Sequence, residues 1–250
     1  MAKKFYYDSA DLLDATITAG TYSSGNFSES ASAVTNEHYI TDQSLSLAVT
    51  SFDDEDTIRI DLSSSKAVDF ITWYMSSSDA QPLKFYYSTA GTSGLTEVAS
   101  VTEGDLNAGW NIETFSSQSK RYWFMRANDG AVDNITELIL GSALTFENEP
   151  DIGIATQEIF ATDLNTSLGG VEYANKRHEP KTTFQLNFSN ISQTFKNNLV
   201  NFEQDVTNFK KFVYYDDSSY HYVRLDAPIK FTEVAFERFS ASLKLREQLS

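Results

Sequence analysis

Short runs of alternating or β-branched residues dominate the first 150 positions. Residues 57–62 alternate polar and apolar at period two, and residues 68–74 and 83–87 are rich in β-branched and aromatic side chains. Clusters of serine and aspartate at 63–65 and 76–79 separate these runs and favour turns. The pattern predicts a mainly β protein that begins with an antiparallel jelly-roll β-sandwich.

The second part of the chain has one helical pattern, over residues 192–211. Its apolar residues recur at intervals of four and three, which lines one helix face: Phe195, Leu199, Phe202, Val206 and Phe209. Asn190 or Ser192 would cap the start of this helix. Strand patterns precede it at 183–188 and follow it at 212–215, 220–225 and 229–246. We therefore expect a smaller β-sheet domain with the α-helix packed on one face.

Charge and composition also change near Pro150. Residues 1–150 have a net charge of 8 − 22 = −14, whereas residues 151–250 have 11 − 13 = −2. The stretch 147–152 is short and polar and contains a proline, as linkers often do. We predict two domains, residues 1–148 and 149–250.

The overall charge excludes several kinds of partner. The 250 residues sum to 19 − 35 = −16, and such a field repels phosphate backbones and anionic lipid, so we expect neither nucleic-acid nor membrane binding. The absence of cysteine excludes disulfides and thiolate sites. No apolar segment approaches membrane-spanning length and no signal core follows Met1, so we expect synthesis in a cytoplasm.

No catalytic motif is present. The three histidines, His38, His178 and His221, stand in no recognisable catalytic frame, and His221 lies in a predicted strand. Paired carboxylates, as in a glycosidase, arise by chance among 35 acids. The acidic run 53–56 is either a calcium loop or a solvated turn, and it lacks EF-hand spacing. We predict no enzyme, no cofactor and no metal.

Sugar binding is the small-ligand hypothesis that the residues support best. Sugar rings stack on exposed aromatic faces while polar edges bind their hydroxyls. Trp110, flanked by Asn107 and Asn111, stands in a loop-like setting, so these three residues are the candidate glycan site. Trp73 and Trp123 lie in apolar runs and are expected in the core. For Trp110 a structural role and a ligand role both remain open.

Residues 36–146 resemble the discoidin-like, galactose-binding-like jelly roll. The resemblance rests on residues 36–42, on the strands at 57–62 and 68–71, on Arg-Tyr-Trp at 121–123, and on Glu-Leu-Ile-Leu-Gly at 137–141. It implies that any ligand contacts variable loops at one end of the barrel. Asp42 is followed by Gln43 and Ser44, not by the glycine and asparagine of calcium-binding members, which argues against a structural calcium ion.

Residues 151–250 resemble the C-terminal domain of tailed-bacteriophage tail proteins of the tail-tube and distal-tail class. The matching pieces are residues 167–173, 186–188, the helix, 212–214, 222–225 and 245–247. The resemblance implies a virion protein, made in the host bacterial cytoplasm, whose second domain joins a homo-oligomeric ring, commonly a hexamer, beside other tail proteins. The jelly roll would then be displayed outside for protein or glycan contact.

A ring needs strands or hairpins that pair with neighbouring subunits. Residues 156–188 have the pattern of a hairpin, with a polar tip that we predict as a subunit contact: Asn175, Lys176, Arg177 and His178. A solvated loop is the alternative for these residues. The leading hypothesis is a structural protein of a phage tail, and the alternative is a carbohydrate-binding module for host recognition without enzymatic activity.

Overall fold

The computed structural model describes residues 3–102, 104–151, 155–166 and 172–248. Fifteen strands and one α-helix lie in these residues: β1 (Lys4–Tyr6), β2 (Thr16–Ser23), β3 (Asn26–Glu29), β4 (Asp56–Met75), β5 (Leu83–Ser88), β6 (Thr96–Val101), β7 (Gly109–Ala127), β8 (Ile135–Gly141), β9 (Leu144–Thr145), β10 (Ala155–Thr166), β11 (Glu172–Ser192), α1 (Gln193–Val206), β12 (Phe212–Tyr215), β13 (Tyr220–Leu225), β14 (Lys230–Ala235) and β15 (Arg238–Glu247). The fold is mainly β, as the sequence pattern predicts: a jelly-roll β-sandwich and a smaller sheet domain with one packed helix.

The chain divides into two compact units, but not at the predicted position. Tyr6–Ala143 forms the jelly-roll unit, whereas Met1–Phe5 joins Leu144–Leu249 in the helix-containing unit. The reason is the N-terminal strand: β1 pairs with β9 in the register Lys4↔Thr145. Phe5 also stacks on the Phe202 ring of α1, with ring centroids 4.8 Å apart. The jelly roll is therefore an insertion between β1 and β9.

The jelly-roll unit is built around two long strands. Its sheet order is β3-β2-β4-β7-β5-β6, and β8 pairs with the second half of β4. The first half of β4 lies between β2 and the end of β7, whereas its second half lies between β8 and the start of β7. Both halves contribute to one buried cluster, with Ile58 and Ile60 from the first and Trp73 from the second. The two halves thus form the two layers of the sandwich.

A predicted turn in this unit is a strand irregularity instead. The serines at 63–65 lie inside β4, where the pairing with β7 shifts register between Asp61 and Lys66. Ser63 adopts a φ of 63°, a left-handed conformation that lets the strand bend without ending. Serine clusters occur in turns and in bulges, so the sequence pattern alone does not distinguish a turn between two strands from a bulge within one strand.

The helix-containing unit has one sheet. Its order is β10-β11-β15-β13-β12-β1-β9, and β14 pairs with the first half of β15. The region 229–246, predicted as one strand, is the hairpin β14–β15, in which Ala235 pairs with Arg238 across a two-residue turn. Glu237 in that turn has a φ of 53°. The turn contains no glycine or proline, so no turn signal is present in the sequence.

Helix α1 begins as predicted and ends earlier. Ser192 caps it: its Oγ accepts a hydrogen bond from the Phe195 N–H at 3.1 Å. Four residues of the predicted stripe are buried: Phe195, Leu199, Phe202 and Val206. Thr207 has a φ of 51°, which stops the helix, so Phe209 lies beyond it and is 61% exposed. No described helix is long and apolar enough to cross a membrane.

Candidate functional site

A polar depression of about 360 Å³ lies where β6 passes through a short loop into β7. It is lined by two acids, two amides, two hydroxyl groups and three apolar residues: Asp105, Glu113, Asn107, Asn111, Ser100, Thr102, Trp73, Val101 and Ile112. Two of the three residues predicted for the glycan site, Asn107 and Asn111, are brought together here.

The loop that forms the depression is held by its own hydrogen bonds. The Asn111 side-chain amide donates to the Asn107 carbonyl at 2.8 Å and to the Gly109 carbonyl at 3.1 Å. The Asn111 Oδ1 accepts from the Asn107 backbone N–H at 3.1 Å. Leu106 is buried and its carbonyl accepts from the Asp79 N–H at 3.0 Å. These bonds hold the part of the loop that leads into β7.

Asp105, in the same loop, is also held by hydrogen bonds. The Thr102 hydroxyl donates to the Asp105 carboxylate, and the Asn107 side-chain amide donates to the Asp105 carbonyl at 3.0 Å. Both Asp105 and Asn107 are exposed at the surface. These bonds leave acceptor oxygens on the Asp105 carboxylate and on the Asn107 side chain facing solvent.

Strand register places the remaining polar groups. Asn111 pairs with Trp73, and Glu113 pairs with Ile71. Side chains two apart in a strand share a face, so Asn111 and Glu113 lie on the same face as the buried Trp73. Trp73 is 1% exposed and packs on the Phe85 ring at 4.9 Å. Trp73 is thus the buried floor of the depression, as its apolar setting predicts for a core residue.

Burial raises the pKa of the Glu113 carboxyl. No cationic group of the described residues lies within 4.0 Å of the Glu113 carboxylate, so Glu113 forms no ion pair with them. A half-buried carboxylate in this setting accepts hydrogen bonds strongly from hydroxyl or ammonium donors.

Trp110 does not belong to this depression. It pairs with Tyr74 at the start of β7, and the two rings meet edge to face at 5.4 Å. Because Trp110 and Asn111 are neighbours in a strand, their side chains point to opposite faces of the sheet. The prediction that Trp110 lies in a loop is wrong, because the residue is part of β7, and its side chain does not share a face with that of Asn111.

The predicted subunit contact lies in a strand and not at a hairpin tip. Asn175 pairs with Asp163 and Lys176 pairs with Thr162, inside the β10–β11 ladder. The register shifts at Ala161, which pairs with His178, so this stretch is a β-bulge region. Lys176 forms an ion pair with Glu179, and Arg177 is exposed. Residues 167–171, which connect β10 to β11 in the chain, lie outside the described residues, as does that part of the phage-tail resemblance.

The acidic run 53–56 forms a hydrogen-bonded turn. Asp56 Oδ2 accepts from the Asp53 N–H at 3.0 Å, and Asp54 Oδ1 accepts from the Asp129 N–H at 2.8 Å. Glu55 forms an ion pair with Arg126 at 2.8 Å. Likewise, Asp42 Oδ1 accepts from the Ser44 N–H. Among the described residues, no group of three or more histidine, cysteine, aspartate or glutamate side chains could hold a metal ion.

His221 occupies a structural position in β13. Its Nε2 lies 3.1 Å from Asp216 Oδ2 and its Nδ1 lies 3.6 Å from Glu247 Oε1. The ring packs on Phe184, with centroids 4.7 Å apart. The imidazole therefore links the β12–β13 turn to the end of β15, and no hydroxyl nucleophile of the described chain is hydrogen-bonded to it.

Comparison with known proteins finds partial matches among solved structures. The module CpGH89CBM32-5 from Clostridium perfringens, in complex with GalNAc-beta-1,3-galactose, matches with a TM-score of 0.38 and 13% identity, over 51% of this chain and 95% of that one. Chitosan-binding module 1 of a chitosanase/glucanase from Paenibacillus sp. IK-5 matches with a TM-score of 0.37 and 19% identity, over 52% of this chain and 97% of that one.

A family 89 glycoside hydrolase from Clostridium perfringens matches with a TM-score of 0.41 and 20% identity, over 58% of this chain but only 16% of the hydrolase. No protein-family model and no curated protein matches the chain. Likeness at this level transfers no function to this protein.

Sequence reasoning missed four polar residues of the depression: Ser100, Thr102, Asp105 and Glu113. The period-two pattern of β7 could have separated Trp110 from Asn111 and joined Asn111 with Glu113. The loop contacts of Thr102 and Asp105 depend on tertiary folding, so no local pattern in the sequence reports them.

Proposed function

We propose that this protein is a non-catalytic glycan-binding protein whose jelly-roll unit holds a sugar in the depression between β6 and β7. The observation that carries the proposal is the concentration of acids, amides and hydroxyl groups in one anchored concavity over Trp73. Such a surface matches a ligand with many hydroxyl groups, since each ring hydroxyl both donates and accepts.

The polar groups select among sugars. The outward-facing atoms of Asp105, Asn107 and Glu113 are mainly acceptors, and residues 1–150 have a net charge of 8 − 22 = −14. Neutral and amine-bearing sugars satisfy acceptors of this kind, whereas uronic or sialic acids are repelled. We therefore expect amine-bearing sugars to bind best and acidic sugars least.

The pH dependence separates the two favoured classes. Because burial raises the pKa of Glu113, acidification protonates this carboxyl at a higher pH than a free glutamate. The charge attraction for a sugar ammonium is then lost, while a neutral sugar keeps a hydrogen-bonding partner. Affinity for an amine-bearing sugar should fall on acidification more than affinity for a neutral one.

A saturation-transfer NMR screen with neutral, amine-bearing and acidic mono- and disaccharides tests the proposal. We expect binding that the double variant Asn107→Ala/Glu113→Gln reduces at least tenfold, and that the matched control Asn128→Ala, in another loop of the same unit, leaves unchanged. Release of shortened sugars during the screen would contradict the non-catalytic part. Equal binding by the double variant would contradict the site.

A second candidate function is assembly as a structural protein of a tailed-bacteriophage tail, in a ring of identical subunits such as a hexamer. The observation that favours it is the distribution of exposed apolar side chains. Of eight large hydrophobic residues exposed on the described surface, six lie in the helix-containing unit: Phe160, Tyr173, Phe209, Tyr220, Val234 and Phe236. Exposed apolar residues concentrated on one unit are typical of a contact surface.

Open sheet edges support the same candidate. Strand β10 ends the strand order, and no described strand pairs with the outer side of β14. Strands with unpaired backbone groups can pair with another chain. Light scattering on a sizing column, at several protein concentrations, tests this candidate: a closed oligomer supports it, and a monomer at every concentration contradicts self-assembly of the isolated chain.

A further inference from the structure

The most exposed large apolar side chain on the described surface stands at the tip of a well-formed hairpin. Phe236 is 87% exposed in the two-residue turn between β14 and β15, and neighbouring Val234 is 57% exposed. Arg238, across the same turn, is exposed and has no carboxylate of the described residues within 4.0 Å. The tip thus presents an aromatic ring beside a guanidinium that no described carboxylate neutralises.

A depression with complementary character lies at the other end of β14. It measures about 330 Å³, and its apolar lining comes from Leu225, Ala227 and Pro228. Its rim includes Glu203, whose Oε1 is fixed by the Ile229 N–H at 2.8 Å. The depression also adjoins the C-terminal end of α1, where the helix dipole favours cations. An aromatic ring followed by a cation suits this surface.

The two features cannot meet within one molecule. Strand β14 has six residues between them, which at about 3.3 Å per residue separates the tip from Pro228 by roughly 20 Å. Two complementary surfaces at different places on one chain form a head-to-tail contact, which closes into a ring or extends into a filament.

We propose that Phe236 of one copy inserts into the depression beside Pro228 of the next copy, with Arg238 facing Glu203 on its rim. The occupant is a second copy because apolar character and charge match between two surfaces of the same chain: an exposed aromatic ring beside an unneutralised guanidinium, and an apolar depression with a carboxylate on its rim. This inference rests on the assembly function proposed above and adds to it a defined contact, separate from the sheet edges.

Engineered cysteines test the contact directly, since the protein contains none. Glu237→Cys keeps the aromatic and cationic groups, and Asn208→Cys places a thiol at the lining of the depression. A disulfide requires Cα atoms within about 7 Å, so the two variants should cross-link when mixed under mild oxidation. Adding Phe236→Ser to the first variant should reduce cross-linking at least tenfold. A mixture of Glu237→Cys with Ser64→Cys, in the jelly-roll unit, measures collisional background.

Light scattering of the wild type and of Phe236→Ser completes the test. The substitution should raise the dissociation constant for self-association at least tenfold. Because the side chain is exposed, the thermal unfolding temperature should not change at protein concentrations where both proteins are monomeric. Leu47→Ser is the matched control, since Leu47 is also an exposed apolar residue. If the wild type assembles but cross-linking stays at background and Phe236→Ser assembles equally, this contact is overturned while assembly stands. If the wild type stays monomeric and no cross-link forms, both fail.

Discussion

The side chain of Asn111 holds the backbone of Asn107 from both sides, donating to its carbonyl at 2.8 Å and accepting from its N–H at 3.1 Å. The two asparagines therefore have different roles in the candidate site. Asn111 shapes the loop and has little hydrogen-bonding capacity left, whereas Asn107 keeps its side-chain oxygen for a ligand. The sequence predicts the same ligand-contacting role for both residues, because it shows only that they lie close to each other in the chain.

This difference can be measured. Asn111→Ala should lower the free energy of unfolding by about 1–2 kcal/mol, because its three side-chain hydrogen bonds are lost at roughly 0.5–1.5 kcal/mol each, offset in part by water. Asn107→Ala should leave stability within about 0.5 kcal/mol, because the residue is exposed. Urea unfolding of both variants measures the two values, and equal losses would show that the loop is held differently.

The helix-containing unit offers a test of its capping. Ser192→Ala removes the Oγ that accepts from the Phe195 N–H and that donates to Glu147 Oε2 at 2.6 Å. We expect a loss of about 1 kcal/mol in the free energy of unfolding, typical of an N-cap deletion. Thr194→Ala, in the first turn of α1 and exposed, is the control and should have little effect. A Ser192→Ala protein as stable as the wild type would contradict the cap.

Acid stability should depend on Asp216. Burial pushes its pKa up, but hydrogen bonds from Ser218, Ser219 and His221 outweigh burial and hold it at about 2. A carboxyl with a lower pKa in the folded state stabilises the fold above its unfolded pKa, and this contribution disappears as the pH falls from about 4 to about 2. The loss is at most roughly 2 kcal/mol for this partly exposed group.

Asp216→Asn should flatten that part of the acid-unfolding profile. Thermal unfolding from pH 2 to pH 6 measures the slope, and Asp217→Asn, the exposed neighbour, is the control. If the wild type and Asp216→Asn lose stability in parallel below pH 4, other carboxyl groups are responsible for the acid sensitivity.

The base of the inserted jelly roll has no room for a side chain at Gly141. A Cβ there would lie 2.5 Å from Ser9 Oγ and 2.6 Å from the Tyr7 carbonyl, and the Ser142 N–H donates to Ser9 Oγ at 2.7 Å. Gly141→Ala should therefore destabilise the protein by about 1–3 kcal/mol through overpacking. Ser142→Ala keeps the backbone contact and should have a small effect. Guanidinium unfolding compares the two, and an unchanged Gly141→Ala midpoint would mean that this segment relaxes freely.

The sequence predicts those features that repeat locally. The period of α1, its serine cap and the core positions of Trp73 and Trp123 follow from spacing and apolar neighbours, and all three are confirmed. The end of the helix depends on the positive φ of one residue, Thr207, and the β14–β15 turn depends on the positive φ of Glu237. A conformation at a single residue leaves no periodic pattern in the sequence, so neither feature could be predicted.

The features that could not be predicted from the sequence pattern depend on pairing between distant strands. The N-terminal strand β1 pairs with β9 across the whole inserted unit, and no local pattern reports a partner so distant in the chain. The separation of Trp110 from Asn111 also depends on β7 starting at Gly109 and not after the tryptophan. The proposed glycan site therefore keeps Asn107 and Asn111 from the predicted set, leaves out Trp110, and adds four polar residues: Ser100, Thr102, Asp105 and Glu113.

The most direct test of the glycan proposal is a titration of the ¹⁵N-labelled protein with the best-binding sugar from the screen, followed by amide chemical shifts. We expect saturable shifts clustered in residues 100–113, with the indole signal of Trp73 among them and the same response in Trp110→Ala. Shifts centred on Tyr74 and Trp110, or no saturable shift with any neutral or amine-bearing sugar, would contradict the proposal.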